Sequence, residues 1–299
     1  MDKDTLDLKT VCQCNSCLGK QTLHPQASII NLENTDLEQS AIKFEFYAIM
    51  LIEESTDECN CCGRKYYDYS NATMVFLIPG EIFRMNKDGV LPPKGWLLAF
   101  HPDLLYHTSL NNHIENYTFF HYDKKEALHL SKRETAQVTC CMENIEEELH
   151  HDIDSHTGTI LSRHIELLLD YCTRFYERQF ITRDCKNQDL MAKFKQIAHD
   201  FILSGNLKDG QPFRSDYFAQ KLNLSEAYFK DLLKFETGKT LEKYMQLKRM
   251  DMAKQLLSTS SLSAFQVSKQ LGYHNVQYFS FLFKRLTGIS PNEYRHSLN

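Results

Sequence analysis

The feature that most restricts how this chain can fold lies in its last third, where one pattern occurs twice about 50 residues apart. Phe218 and Leu222 stand four apart, Asn223-Leu224-Ser225 forms a turn, and Phe229, Leu232 and Leu233 follow at helical spacing before Gly238. Val267 and Leu271, a Gly272-Tyr273 turn, Asn275 and then Phe279, Leu282, Phe283 and Leu286 repeat the pattern before Gly288. The two stretches even finish alike, Lys234-Phe235-Glu236-Thr237-Gly238 against Lys284-Arg285-Leu286-Thr287-Gly288. Apolar residues three and four apart form one helical face. Ser and Asn cap helix starts, and glycine ends helices in the left-handed conformation. Each copy therefore predicts two short helices crossing steeply, the form whose second helix can lie in a DNA major groove. A longer helix over Thr240–Leu257, with Leu247, Met250, Ala253 and Leu257 on one face, is expected between them, and another from near Leu190 to Ser204-Gly205 and Asp209-Gly210 before them.

Charge is divided the same way. The net charge of −5 hides an acidic front and a basic back: residues 187–299 hold 16 Lys and Arg against 10 Asp and Glu, leaving 18 against 29 for the first 186 residues. That asymmetry is expected when one module meets phosphate and the other does not. A length of 299 residues suggests two domains. No stretch approaches the roughly 18 uninterrupted apolar residues of a membrane span, and Met-Asp-Lys-Asp at the start lacks the form of a signal peptide. A cytoplasmic protein with its ten cysteines reduced is the expectation.

Residues 28–122 read mostly as strands. Phe44–Ile52, Thr73–Ile78, Gly95–Phe100 and Tyr117–Tyr122 are rich in β-formers, and Pro79-Gly80, Lys87-Asp88-Gly89 and Pro92-Pro93-Lys94-Gly95 punctuate them as turns. A sandwich or small barrel follows from that spacing. From Lys124 the pattern becomes helical. Ser131 with Glu134 predicts a capped helix over about 131–151, and Ile160, His164, Leu167, Leu168 and Tyr171 share one face of a second over about 156–179. Polar Thr182–Asp189 reads as a linker. The expected class is α+β, divided into residues 1–125, a helical dimerisation segment and linker over 126–186, and the double helix–turn–helix over 187–299.

Through Phe218–Ser225, Leu233–Lys239, Leu271-Gly272-Tyr273 and Phe279–Pro291 to Tyr294-Arg295, the chain resembles the DNA-binding domain of the AraC-type (AraC/XylS family) bacterial transcription regulators over about 100 residues. The front resembles the sensor half of one branch, a cupin-like small barrel followed by a helical dimerisation segment. The resemblance implies a regulator whose two recognition helices enter successive major-groove segments on one face of the duplex. Its expected partners are double-stranded DNA, a second copy of the chain as homodimer, a small-molecule effector at the N-terminal domain and RNA polymerase, with no membrane and no cofactor. Helical geometry selects the readers independently. With Phe229, Leu232 and Leu233 inward, Ala227, Tyr228, Lys230, Asp231 and Lys234 face out. With Phe279, Leu282 and Phe283 inward, Val276, Gln277, Ser280, Phe281 and Lys284 face out behind the cap Asn275. Gln277 suits adenine, Asp231 suits cytosine, and Val276 or Phe281 suits a thymine methyl. Lys230, Lys234 and Lys284 suit phosphate. Phe281 departs from the polar residue expected at such a position. Ala264 and Ser268 stand where the resemblance suggests a larger aliphatic residue and an alanine, which predicts looser packing of that helix.

Signals for other chemistry are weaker. Cys12, Cys14 and Cys17, with Cys59, Cys61 and Cys62, form two clusters of thiols able to bind metal or sense redox, but their spacing matches neither paired zinc arms nor a ferredoxin run. His101, His107, His113 and His121 lack the His-x-His and following Glu of a metal cupin. No Gly-x-Ser-x-Gly, phosphate loop or His-Glu-x-x-His occurs, so no enzyme is expected. Phe44, Phe46, Tyr47, Phe76, Trp96 and Phe100 can line a pocket or simply fill the core. The alternatives to an effector-controlled regulator are an architectural DNA binder without effector, a thiol- or metal-responsive regulator, and a cupin enzyme fused to a DNA-binding domain.

Overall fold

The computed structural model describes residues 5–33, 41–53, 64–65, 67–84, 94–204 and 213–297. The chain divides into two compact units, Met1–Asp184 and Cys185–Asn299. The first contains strands β1 (Thr5–Leu8), β2 (Ala27–Asn31), β3 (Ala41–Phe44), β4 (Tyr47–Glu53), β5 (Ala72–Leu77), β6 (Glu81–Arg84), β7 (Gly95–Phe100) and β8 (Leu128–Leu130), with helices α1 (Val11–Cys17), α2 (Lys132–Leu149) and α3 (Thr157–Thr182).

Five strands pair antiparallel in the order β2-β7-β4-β5-β8, and β1, β3 and β6 form a separate sheet in which β1 runs parallel to β3. Among the described residues these are two open sheets, which favours the sandwich over the small barrel. The uninterrupted apolar runs of β4, β5 and β7 follow from this layering, because alternate side chains of a strand point to opposite faces. Ala48, Met50 and Ile52 of β4 join a core shared with the three-stranded sheet and α1, whereas Ile49 and Leu51 join a core under α2 and α3. Both faces of the central strands are thus dry. β7 starts at Gly95, φ 143°, where a Cβ would overlap the Leu51 carbonyl oxygen of β4, so only glycine fits.

Several expected boundaries shift. Phe44–Ile52 is two strands, because the chain passes from one sheet to the other at Glu45-Phe46. Tyr117–Tyr122 is not a strand: Thr118–His121 is a 3-10 turn whose Phe119 and Phe120 rings pack 4.5 and 5.5 Å from Phe76. The chain after Lys124 makes a further 3-10 turn and then β8 before α2 begins, capped reciprocally by Ser131 and Glu134. Leu168 is buried while Ile160 and Leu167 are 38% and 45% exposed, so the five residues expected on one face of α3 divide between its inner and outer sides. Phe44, Phe46, Phe76 and Phe100 lie in the core, with Tyr47 stacked on Phe100 at 5.0 Å.

The second unit is helical: α4 (Asp184–Leu203), α5 (Ser215–Leu222), α6 (Glu226–Thr237), α7 (Leu241–Thr259), α8 (Ala264–Gln270), α9 (Val276–Thr287) and α10 (Pro291–His296). The expected linker Thr182–Asp189 is helical apart from Arg183, whose guanidinium pairs with Asp68 at 2.7 and 2.8 Å. Its polar residues lie mostly on the exposed side of α4, while Asn187 and Met191 turn inward. The glycines and aspartate expected to close α4, Gly205, Asp209 and Gly210, lie outside the described residues.

Candidate nucleic-acid interface

Each helix–turn–helix is built from local signals. In the first, α5 ends at Asn223 in the left-handed conformation, φ 57°, and the Leu224 N–H donates back to the Ala219 carbonyl at 3.0 Å. The Ser225 hydroxyl then accepts from the Tyr228 N–H at 3.2 Å to start α6, which Gly238 ends at φ 66°. In the second, Gly272 takes the left-handed position, φ 76°, and the Tyr273 N–H donates to the Ser268 carbonyl at 2.8 Å. This turn is one residue longer: Asn275, beyond His274, is the cap, and its Oδ1 accepts from Gln277 N–H at 2.7 Å and Tyr278 N–H at 3.2 Å. Gly288, φ 86°, ends α9.

The units are held to the core differently. Phe194 of α4 lies 5.6 Å from Phe218, 5.2 Å from Phe229 and 5.0 Å from Tyr244, an aromatic cluster joining α4 to α5, α6 and α7. The second unit has an aromatic core of its own, Phe279 lying 5.3 Å from Tyr273 and 5.9 Å from Phe283, and adds two arginines to it. Arg249 of α7 donates its Nε to the Leu271 carbonyl and lies over the Tyr273 ring, and Arg295 of α10 donates to the carbonyls of Leu257 and Leu262. Ser268 is buried with its hydroxyl donating to the Phe265 carbonyl at 2.8 Å. Val267 and Leu271 beside it are fully enclosed.

Of the residues expected to face DNA on α6, Lys230 and Lys234 are exposed and Ala227 and Asp231 half-buried. Tyr228 is not outward but buried, at 3% exposure. It stands four residues before Leu232, hence on the same inner stripe, a spacing that makes it core. Lys230 Nζ lies 2.6 Å from Glu226 Oε1, and the Ser215 hydroxyl donates to that same oxygen at 2.6 Å. These bonds hold the Glu226 carboxyl below the ordinary carboxylate range.

On α9, Gln277, Phe281 and Lys284 are exposed and Val276 and Ser280 half-buried. Phe281 is 60% exposed, so it is not packed away under a neighbouring helix. Asn275 is exposed but its side-chain oxygen is engaged as the cap. Periodicity missed Tyr278. It is 48% exposed and lines a groove of about 400 Å³ with Lys243, Gln246, Arg249 and Tyr273. Arg285, exposed in the last turn of α9, was also missed.

The cysteines of the front unit do not converge where they are described. Cys14 points into the core, where burial pushes its thiol up to about 12, while Cys12 and Cys17 are exposed on α1. Cys59, Cys61 and Cys62 lie outside the described residues. Among the described residues no group of three His, Cys, Asp or Glu side chains is placed to hold a metal ion, and no helix is long and apolar enough to cross a membrane.

Two capped helix–turn–helix units joined by one long helix define a double helix–turn–helix DNA-binding domain. A helix-turn-helix domain family matches residues 218–297, and with the sequence likeness above it identifies the second unit as an AraC-type DNA-binding domain. The chain is similar to the HTH-type transcriptional activator RhaR of Salmonella heidelberg (strain SL476), 35% identical over 112 residues, which is 37% of this chain and 40% of that protein. RhaR of Salmonella typhi matches to the same extent. The chain thus spans about two fifths of the length of the curated relatives it matches. Among solved structures it is similar to the C-terminal domain of the two-component response regulator yesN from Fusobacterium nucleatum, with 28% identity over 36% of this chain and 98% of that one and a TM-score of 0.31. It is also similar to a point variant of ToxT from Vibrio cholerae in its apo form, with 15% identity over 91% of this chain and 97% of that one and a TM-score of 0.32.

Proposed function

We propose that the chain is a sequence-specific transcription regulator that reads two successive major-groove segments, one with α6 and one with α9. The observation that carries this reading is the tandem of capped recognition helices whose outer faces expose Lys230 and Lys234 in one and Gln277, Phe281 and Lys284 in the other. Gln277 pairs with adenine, Asp231 accepts from cytosine, and Val276 or Phe281 touches a thymine methyl. Lys230, Lys234 and Lys284 neutralise phosphates and fix the register.

A homodimer formed through the helices of the front unit places two DNA-binding domains on neighbouring half-sites, raising occupancy through effective concentration. Supporting this, Ile160 and Leu167 are exposed and Tyr171 half-buried along one side of α3. A small-molecule effector bound to the front unit shifts which arrangement of the dimer is populated, and RNA polymerase receives the output. The site of action is the cytoplasm, and the chain catalyses no reaction.

The test is selection of bound sequences from a randomised DNA pool by the full chain, with salt titration on the winners. A motif of two segments about one helical turn apart is expected, with affinity falling steeply with salt. Binding without an enriched motif leaves only an architectural DNA binder.

A further inference from the structure

Arg249 occupies a place that an aliphatic residue would fill at lower cost. It sits midway along α7 on the inner face, at 9% exposure, between Met245 and Met252. Removing a guanidinium from water is unfavourable unless its contacts are well directed. Here two contacts of different kind meet the guanidinium. In the plane of the group, Nε donates to the Leu271 carbonyl at 3.0 Å, at the C-terminal end of α8. Over its face lies the Tyr273 ring, 3.6 Å from the guanidinium carbon to the ring centroid. An in-plane donor and a stacking face are the two things a guanidinium offers that an ammonium does not.

Leu271-Gly272-Tyr273 is the turn of the second unit, and Tyr273 continues the chain of contacts into the recognition helix. The residue is 2% exposed, its ring lies 5.3 Å from Phe279 of α9, and its backbone N–H donates to the Ser268 carbonyl of α8. The corresponding turn residue of the first unit is Leu224, whose N–H makes the matching bond to the Ala219 carbonyl but whose side chain packs on the core by apolar contact, without preferred direction.

We propose that Arg249 is a positioning residue: by fixing the α8–α9 corner on α7 it sets the spacing at which the second recognition helix meets DNA relative to the first. The proposal rests on the two-segment reading above. α7 is the covalent bridge between the units, so a corner tied to it by a hydrogen bond and a ring contact keeps α9 at one rotation relative to α6. An apolar replacement fills the volume but leaves that rotation loose.

The experiment uses the full chain and the two-part site obtained by selection, together with versions carrying one base pair inserted or deleted between the segments. One base pair shifts the second segment by about 3.4 Å and turns it by about 35°. The unaltered protein is expected to lose about tenfold or more in affinity on either change. Arg249→Met is expected to bind all three DNAs within about threefold of one another, and Tyr273→Leu to do the same. Tyr273→Phe, which keeps the ring, is expected to retain the steep dependence. Circular dichroism establishes that each variant is folded, and if Arg249→Met is not, Tyr273→Leu decides. A folded Arg249→Met or Tyr273→Leu with undiminished spacing dependence overturns the proposal. Failure of the unaltered protein to select a two-part site overturns the reading beneath it, an outcome visible before any variant is made.

Discussion

The two helix–turn–helix units share one local plan and one apolar core but differ in how the turn is held. In the first, Tyr228 is 3% exposed and the unit is wrapped around an aromatic cluster centred on Phe194 and Phe218. In the second, the equivalent Tyr278 is 48% exposed and the turn is fixed by Arg249 and Tyr273. Apolar packing contributes more free energy per residue but little direction, whereas a guanidinium held in its plane and on its face contributes direction at a desolvation cost. One fold repeated in one chain thus carries two versions of its turn, Leu224 packed on the core in the first and Tyr273 under a guanidinium in the second.

The largest expected effect tests the anchoring side. Phe218→Ala empties a fully enclosed site ringed by Phe194, Phe201, Tyr217 and Phe229. It should lower the unfolding free energy by about 3–5 kcal/mol in a denaturant titration. Val267→Ala, at the matching position of the second unit, should cost about 2 kcal/mol. Equal losses at the two positions would erase the distinction.

Next come the caps. Asn275 Oδ1 accepts from two amides, so its replacement by alanine should cost up to about 2 kcal/mol, and that of Ser225, whose hydroxyl accepts from the Tyr228 amide, about 1 kcal/mol. Thermal unfolding of the two variants side by side checks the order.

The smallest effect concerns charge. Glu226 holds Lys230 on α6, while Val276 takes the matching position on α9, so Glu226→Gln should free Lys230 for phosphate. Affinity should rise by roughly 0.2–1 kcal/mol at low salt and converge with the unaltered protein at high salt. The pH dependence has a definite sign. The folded carboxyl titrates below its ordinary range, so the pair's contribution is present above that range and is lost as pH falls through the lowered value. Titrating the variant against the unaltered protein at falling pH should bring the two together.

What was legible in the sequence was what is decided within a few residues. The caps Ser131, Ser225 and Asn275 and the stops Gly238 and Gly288 could be placed because each depends on its own φ and side chain. Tyr228 was misplaced although its i,i+4 relation to Leu232 was present, because the inward set was defined by the strongest apolar residues and a tyrosine fits either side. Thr118–His121 looked like a strand because its aromatics favour sheets, but those rings are spent on Phe76 and the backbone turns to let them reach it. The open sheets were hidden because a strand dry on both faces reads the same in a closed barrel and in a stacked layer. Arg249 looked like any basic residue of a long helix, since its stacking on Tyr273 depends on a turn 24 positions away in the chain.

Whether the two recognition helices read separate segments of one site is tested by sequence selection repeated with Lys230→Ala and with Gln277→Ala. Each variant should lose about 1–3 kcal/mol on the preferred site. Gln277→Ala should relax base preference in one segment only, while Lys230→Ala should weaken binding and lower the salt dependence without relaxing the segment read by α9. Loss of preference in both segments from Gln277→Ala, or unchanged affinity and preference for both variants, would contradict the account.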